Sequence, residues 1–583
     1  MTTPMREIHT MTSTATRRRG RQLVAMSVVL FAVLASALGL APPAQAYVQI
    51  AGAGSTWSAN AIDSWRKNVA QFGMRVDYAA TGSSDGRTQF RAGTVDWAAS
   101  DIPYGIKDGN NEDLPPARGF AYMPITAGGT TFMYNLKIGA TRVTNLRLSG
   151  ANIAKIFTGV ITRWNDAAIA RDNPGLTLPA IKIVPVVRSD GSGSTAQFSQ
   201  WMIAQQNSIW KTYCGRAHRS PCTQTSVYPV IPGSGMVAQY GDLGVAGYVA
   251  QSQAVGSIGY VQYSYAIQAG FPVAKMLNSA GYYTEPTAGH VAVSLLKARI
   301  NPNKANPKVY LTQDLSQVYV NPDPRTYPLS GYSYMILPTK SEYGVNTDKG
   351  KTLGVFGNYL LCQGQTQVDA LGYSALPINL VKAGQQQLAK IPGATGTNFT
   401  ISKCRNPTFS TNGTNTLAVR DPRPPACDKQ GSSQCAAGTG GAQNQQTPLK
   451  PGAQGGGPSN ASGGSSNGSG NGATNGSGSG AKSSGASNPG GARAGSQTTA
   501  SSAPCDVDTG VCGPVAGPQD GGQNPQAQPV STSASLGDGM KVTFMALAAV
   551  LLVGLAVGPP LISQLGNRRQ NRRPPGSPNG WGS

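Results

Sequence analysis

Residues 181–198 have the sequence IKIVPVVRSDGSGSTAQF, in which an apolar, β-branched run leads into a turn of Gly and Ser and then into a more helical composition. The apolar run predicts a buried strand over residues 181–187. A strand that enters a helix through a short Gly/Ser turn is the repeating unit of α/β proteins. This stretch therefore predicts an α/β fold.

Two earlier turns have the same composition, Gly52–Trp57 (GAGSTW) and Gly82–Gly86 (GSSDG). Apolar residues after the first turn recur on one helical face: Ile62, Trp65, Val69 and Phe72. Residues 74–80 and 95–99 are predicted to be strands. A helix start presents unpaired backbone N–H groups and the positive end of the helix dipole, and Gly allows close approach. Each turn alone is common, but three of them together with Arg188 predict an anion-binding site.

Several segments resemble the phosphate-binding protein of the phosphate-specific ABC transporter. They are Ala51–Tyr104, Gly150–Asn165 with its IFTG, Val186–Phe198 with its RSDGSG, Gly256–Ala266 (GSIGYVQYSYA) and Leu371–Pro377 (LGYSALP). The resemblance covers about residues 48–391. It implies a two-lobed periplasmic-binding-protein fold of type II with a hinge, in which lobe 1 comprises about 47–125 and 266–391 and lobe 2 about 126–265.

The resemblance also implies the residues that contact phosphate. They are Thr56, Trp57, Ser83, Asp101, Arg188, Ser192, Gly193 and Ser194. Trp57 stands where the family usually has Phe, and Ser194 where it usually has Thr. Asp85 replaces a small residue and adds a carboxylate near the mouth of the site. The family implies no metal and no cofactor.

The chemistry of two of these residues fits a phosphate ligand. Arg188 can donate two parallel hydrogen bonds to one edge of phosphate, and a surface salt bridge with Asp190 is the structural alternative. A buried Asp101 can accept a hydrogen bond from the proton that phosphate retains near neutral pH, which sulfate lacks. The structural alternative for Asp101 is a helix cap before Pro103.

The remaining segments predict an exported and anchored protein. Residues 1–46 have the basic stretch, apolar run and Ala-Gln-Ala end of a signal peptide, by the Sec or the twin-arginine route. Residues 392–435 form a Cys-containing extension, and residues 436–539 are a Gly/Ser-rich tether predicted to be disordered. Residues 540–563 are predicted to form one transmembrane helix and 564–583 a basic cytoplasmic tail. This assignment places the binding domain outside the cell membrane, and a processed hydrophobic tail is the alternative.

The cysteines occur as pairs of neighbours along the part of the chain that is predicted to be exported. The spacing favours disulfides Cys214–Cys222, Cys362–Cys404, Cys427–Cys435 and Cys505–Cys512. A zinc site is the rival, but no Cys-x-x-Cys or nearby His pair supports it.

The composition and motifs exclude or disfavour other classes of function. The formal net charge of +22 suits anionic partners, but no Lys/Arg run with interleaved aromatics indicates nucleic-acid binding. GSGST is not a nucleophile elbow, and His218 and His290 are the only histidines after the signal peptide, so catalysis is not expected. We expect a binding protein that passes inorganic phosphate to ABC permease subunits. A surface scaffold, sensor or adhesin is the alternative, and a phosphoester hydrolase is a weaker one.

Overall fold

The computed structural model describes residues 47–108, 111–306, 309–395, 403–410 and 412–453. The predicted signal peptide, transmembrane helix and cytoplasmic tail lie outside these residues, as do most of the tether and the Cys505–Cys512 pair. Within the described ranges, no helix combines the length and apolar character that a bilayer span requires.

Strands and helices alternate through most of the chain. The strands are β1 (Ile50–Gly54), β2 (Val76–Ala79), β3 (Trp97–Ser100), β4 (Lys107–Asp108), β5 (Asn111–Glu112), β6 (Phe120–Tyr134), β7 (Lys137–Ile138), β8 (Thr141–Arg142), β9 (Arg147–Leu148), β10 (Val184–Arg188), β11 (Val237–Gln239), β12 (Ser257–Gln262), β13 (Val273–Leu277), β14 (Tyr283–Thr284), β15 (Arg299–Ile300), β16 (Gln313–Asp314) and β17 (Ser330–Pro338). The helices are α1 (Ala59–Ala70), α2 (Ser83–Ala92), α3 (Gly150–Phe157), α4 (Ala167–Asp172), α5 (Gly193–Gln205), α6 (Asn207–Arg216), α7 (Gly241–Ala250), α8 (Tyr263–Gln268), α9 (Ala288–Leu295), α10 (Ser316–Tyr319), α11 (Thr347–Leu361), α12 (Ile378–Leu388) and α13 (Thr416–Arg420). The predicted α/β class is confirmed.

One long strand, β6, connects two lobes. The main sheet has the order β11-β10-β12-β6-β17-β3-β1-β2. Residues 120–129 pair with β17 in lobe 1, and residues 130–134 pair with β12 in lobe 2. Each lobe also has a parallel part, β2-β1-β3 in lobe 1 and β11-β10-β12 in lobe 2. Parallel strands place their carboxyl ends, and the helix starts that follow, at one edge of each lobe.

The lobe boundary predicted near residue 265 is wrong. After α8 the chain reverses at Gly270, whose φ of 66° is in the left-handed region that favours Gly. Strand β13 then pairs with the lobe 2 part of β6 and with β9. Residues 266–284 therefore belong to lobe 2, because the edge of β6 is free to accept another antiparallel strand there.

The first predicted helix is confirmed except at its end. Ile62, Trp65 and Val69 of α1 are buried, as their shared face predicted. Phe72 was expected on the same face, but 62% of its surface is exposed. The helix ends at Ala70, so Phe72 no longer follows the helical periodicity that would bring it to the buried face. Gly73, with a φ of 77°, then turns the chain in another direction.

The described part of residues 403–453, which we call the strap, crosses from lobe 1 to lobe 2. Its disulfide Cys362–Cys404 joins it to the end of α11 in lobe 1, and Arg325 donates to Ala418 O at its middle. In lobe 2, Thr144 N donates to Thr447 Oγ1 at 2.7 Å. The predicted bridges Cys214–Cys222 and Cys427–Cys435 are also formed.

The strap corrects the predicted start of the tether at residue 436. Residues 436–453 are folded against lobe 2, where Thr439 and Thr447 are buried. Thr439 Oγ1 donates to Val273 O at 2.6 Å, and Lys450 N donates to Gly175 O. Leu449 is the one large apolar side chain of this segment, and it packs against the core. The small residues around it let backbone groups reach partners on lobe 2, so composition alone gave the wrong boundary.

Candidate functional site

The three Gly/Ser turns meet where the two lobes contact each other. The turns after β1 and before α2 come from lobe 1, and the turn between β10 and α5 comes from lobe 2. Ser84 N donates to Gly191 O at 3.0 Å across the lobes, and Tyr240 Oη donates to Thr81 O at 2.9 Å. Gly82 precedes α2 with a φ of 95°, which an L side chain rarely adopts. The turns thus form a shared site from two separate lobes.

Asp101 is the centre of the lobe 1 side of this site. Its carboxylate accepts hydrogen bonds from Ser55 Oγ at 2.8 and 2.9 Å, from Ser333 Oγ at 2.8 Å and from Ser83 Oγ at 3.1 Å. Burial raises the pKa of Asp101 above its ordinary value, although these hydroxyl donors lower it in part. An ionised carboxylate has about four acceptor positions. The two Ser55 contacts share one hydroxyl hydrogen, so three hydrogens occupy the carboxylate and Asp101 can still accept one hydrogen bond from a ligand.

Helix α5 of lobe 2 begins directly against Asp101. A Cβ added to Gly193 would lie 2.4 Å from Asp101 Oδ2 and 2.7 Å from Ser83 Oγ. Ser192 is the N-cap of α5, and its Oγ accepts from Thr195 N at 3.3 Å. Only Gly at position 193 allows the N–H groups of this helix start to come so close to lobe 1.

Arg188 is buried in the lobe 2 side of the site between two carboxylates. Its Nε donates to Asp190 Oδ1 at 2.7 Å, its Nη2 pairs with Asp190 Oδ2, and its Nη1 donates to Asp242 Oδ2 at 2.5 Å. Burial alone would lower the pKa of Arg188, but Asp242 and Asp190 outweigh it and the net pKa is raised. A guanidinium has five N–H donors. Two of them remain for a ligand after these three contacts.

Asp242 is the site residue that the sequence analysis missed. Fully buried in the first turn of α7, it accepts from Thr56 Oγ1 at 2.6 Å as well as from Arg188. It therefore joins a lobe 1 residue to a lobe 2 residue. A lone acidic residue at the start of the otherwise apolar helix GDLGVAGYVA is the pattern that could have indicated it.

The predicted residues thus fall into two clusters, and the start of helix α5 lies between these clusters. Ser83, Asp101 and Gly193 meet in one cluster, while Thr56 and Arg188 meet through Asp242 in the other. The remaining predicted residues are Ser192 at the N-cap and Trp57 and Ser194, which line a cavity beside Asp101. Ser194 Oγ is buried and has no hydrogen-bond partner among the described residues. The Trp57 indole donates away from the clusters, to Thr130 Oγ1 at 3.2 Å.

The groups at this site suit an anion with both acceptor and donor atoms. Backbone N–H groups, hydroxyls and a guanidinium can donate, and Asp101 can accept. His218 is exposed after α6, and His290 lies in α9 with Nδ1 2.7 Å from Glu285 O, so neither belongs to the two clusters. No group of three or more potential metal ligands occurs in the described ranges.

The chain is similar to several known proteins. A family model described as a PBP superfamily domain matches residues 41–363, more than half of the chain. The phosphate-binding protein PstS of Xylella fastidiosa is 34% identical over 337 residues, which cover 58% of this chain and 83% of that protein. The protein of the same name from Haemophilus influenzae is 30% identical over 351 residues. This match covers 60% of this chain and 95% of that protein. A solved phosphate-binding protein from Stenotrophomonas maltophilia is 18% identical, with a TM-score of 0.43, and the match covers 61% of this chain and 98% of that one.

Proposed function

Because this chain belongs to the PstS family of phosphate-binding proteins, within the PBP superfamily, we propose that it captures inorganic phosphate outside the cytoplasm for an ABC transporter. The observation that carries the proposal is the close approach of the α5 helix start of lobe 2 to the Asp101 carboxylate and the Ser83 hydroxyl of lobe 1. The family relationship supports phosphate as the ligand and a transporter as the partner.

We assign the ligand contacts to the eight residues predicted from the sequence. The backbone N–H groups at the start of α5, the Ser194 hydroxyl and the Trp57 backbone donate to phosphate oxygens. The hydroxyls of Thr56 and Ser83 donate to Asp242 and Asp101 in this structure, and each turns its one hydrogen to phosphate when the ligand binds. Arg188 neutralises the charge and donates along one edge, held in orientation by Asp190 and Asp242. These groups replace the water that phosphate loses on binding.

Asp101 selects phosphate over sulfate in this proposal. Near neutral pH phosphate still has a proton to donate, whereas sulfate offers only acceptor atoms. A sulfate oxygen beside the buried Asp101 carboxylate would face a like charge without a hydrogen bond. The arrangement therefore penalises sulfate without a steric barrier.

Closure of the lobes couples binding to transport. Ligand residues come from both lobes, so phosphate stabilises the conformation in which they contact each other. A transporter that recognises this conformation receives only loaded protein.

Calorimetry of the full chain with phosphate and with sulfate tests the function. We expect one phosphate per chain and a strong preference over sulfate. Equal affinities would contradict the role of Asp101, and binding of neither anion would contradict the function itself. Phosphate release from a chromogenic ester by the pure protein would favour a hydrolase instead.

We further propose the predicted export and anchoring, whose segments lie outside the described residues. Residues 1–46 direct export and residues 540–563 span the membrane once, which leaves the lobes at the cell surface. Protease added to intact cells should cut within residues 454–539 and release a fragment that still binds phosphate. A secreted protein that lacks everything after residue 539 would contradict the anchor.

A further inference from the structure

Lobe 1 contains a second cavity that shares no residue with the phosphate site. Its volume is about 280 Å³, and it lies between the start of β6, the end of α12 and the residues Lys304 and Tyr310. Phe120 and Tyr122 form one wall, and Lys304, Tyr310, Gln387 and Lys390 form the other. We call it the lysine cavity. Since one water takes about 30 Å³ of liquid volume, this space holds a small molecule rather than a single water.

The charge of the lysine cavity is entirely positive among its described lining residues. Lys304 and Lys390 line it, and no carboxylate does. Lys390 Nζ lies 5.2 Å from the centre of the Tyr310 ring. Partial burial and then the neighbouring Lys304 lower the pKa of Lys390. Two cations that face one space without a counter-charge are complementary to an anion.

Gln387 lines the same space and contacts Lys390. Only 1% of its surface is exposed, and its Oε1 accepts from Lys390 Nζ at 2.9 Å. Its Nε2 is buried and has no hydrogen-bond partner in the described part of the chain. The Gln387 amide oxygen therefore holds the Lys390 ammonium at the wall of the cavity.

We propose that the lysine cavity binds the oxyanion group of a small molecule, a phosphate or a carboxylate, through Lys304 and Lys390. The two lysines attract the anion, and Gln387 positions the Lys390 ammonium through its Oε1. This is a second site in lobe 1, separate from the cleft between the lobes, and it does not depend on closure. It would be filled independently of the phosphate at Asp101.

The test is calorimetry of the full chain with one equivalent of inorganic phosphate present, titrated with pyrophosphate in one arm and citrate in the other. Binding of pyrophosphate alone identifies a phosphate ligand, and binding of citrate alone a carboxylate. Binding of both shows that the cavity selects by charge. In each of these cases affinity should fall as salt is raised.

Variants separate this cavity from general surface charge. The double substitution Lys304→Ala with Lys390→Ala should weaken anion binding at least tenfold, and Gln387→Leu should weaken it severalfold. Lys382→Ala is the matched control, because Lys382 is an exposed residue of α12 that does not line the cavity, and it should change affinity less than twofold. All three lysines are exposed, so these variants should fold. No binding of either anion up to about 10 mM, or an equal loss in the Lys382 variant, would overturn the proposal.

Discussion

Replacing Gly193 with Ala should hold the two lobes apart. The new Cβ would lie 2.4 Å from Asp101 Oδ2, whereas ordinary contacts begin at 3.4 Å, so the atoms must separate by about 1 Å. The Asp101 side chain cannot simply rotate away, because its own Cβ is only 2.7 Å from the new atom and three serines hold its carboxylate. The strain is therefore relieved by moving α5 away from lobe 1.

A shift of about 1 Å lengthens a normal hydrogen bond beyond its useful range. If the start of α5 loses two hydrogen bonds to phosphate, at about 1.5–3 kcal/mol each, the affinity should fall about a hundredfold or more. Stability should change little, because the lobes can separate without unfolding. Titration calorimetry measures the affinity, and differential scanning fluorimetry measures the melting temperature.

Gly247→Ala is the matched control for this substitution. Gly247 lies within α7 of the same lobe, and an added Cβ meets no atom within 4 Å. Ala there should leave phosphate affinity unchanged and stabilise the helix by about 0.5–1 kcal/mol. If Gly193→Ala binds phosphate within about threefold of the unmodified protein, the inferred contact between α5 and Asp101 is wrong.

Three further substitutions test other parts of the structure. Arg188→Ala should weaken phosphate binding at least a hundredfold in calorimetry and lower the free energy of unfolding by about 3–5 kcal/mol, since Asp190 and Asp242 lose their buried cation; unchanged affinity would remove Arg188 from the site. Asp101→Asn should reduce the preference for phosphate over sulfate. Burial raises the pKa of Asp101 in the folded protein above its ordinary value of 3.8. The neutral carboxyl therefore contributes stability below pH 3.8, and this stability is lost as the pH rises through the pKa of the folded state. The neutral Asn should therefore raise the melting temperature at pH 7 but not at pH 3, and an increase of equal size at both pH values would refute this cause. Thr447→Val removes the acceptor of the buried Thr144 N–H and should cost about 1–3 kcal/mol in denaturant unfolding, whereas the exposed control Thr414→Val should cost almost nothing.

The candidate site could be predicted from the sequence where its chemistry is local. The turn from Arg188 to Thr195 contains its own strand end, glycines and helix start, so its capacity for an anion can be inferred from one stretch. The same holds for Ser83 at the start of α2. The resemblance to a known family then placed Asp101 with them.

The remaining site residues depend on long-range contacts that local patterns do not contain. Ser333 lies on β17 and reaches Asp101 only because β17 pairs with β3. Asp242 joins the site because α7 starts beside Thr56, 186 positions away in the chain. Residues 436–453 gave the wrong prediction because hydrogen bonds of small residues hold them, and hydrophobic periodicity does not record such bonds.

The strap also determines which lobe first bears a pulling force that is applied to the chain beyond residue 453. The last described residues contact lobe 2, where Lys450 N donates to Gly175 O, and a hydrogen bond from Gln434 N to Ala453 O joins them to the rest of the strap. A pull on the chain beyond residue 453 is therefore first resisted by these hydrogen bonds and then by the Cys427–Cys435 loop, before it reaches the crossing to lobe 1. Lobe 2 therefore bears such a force first, and the strap transmits it to lobe 1 only after these contacts have broken.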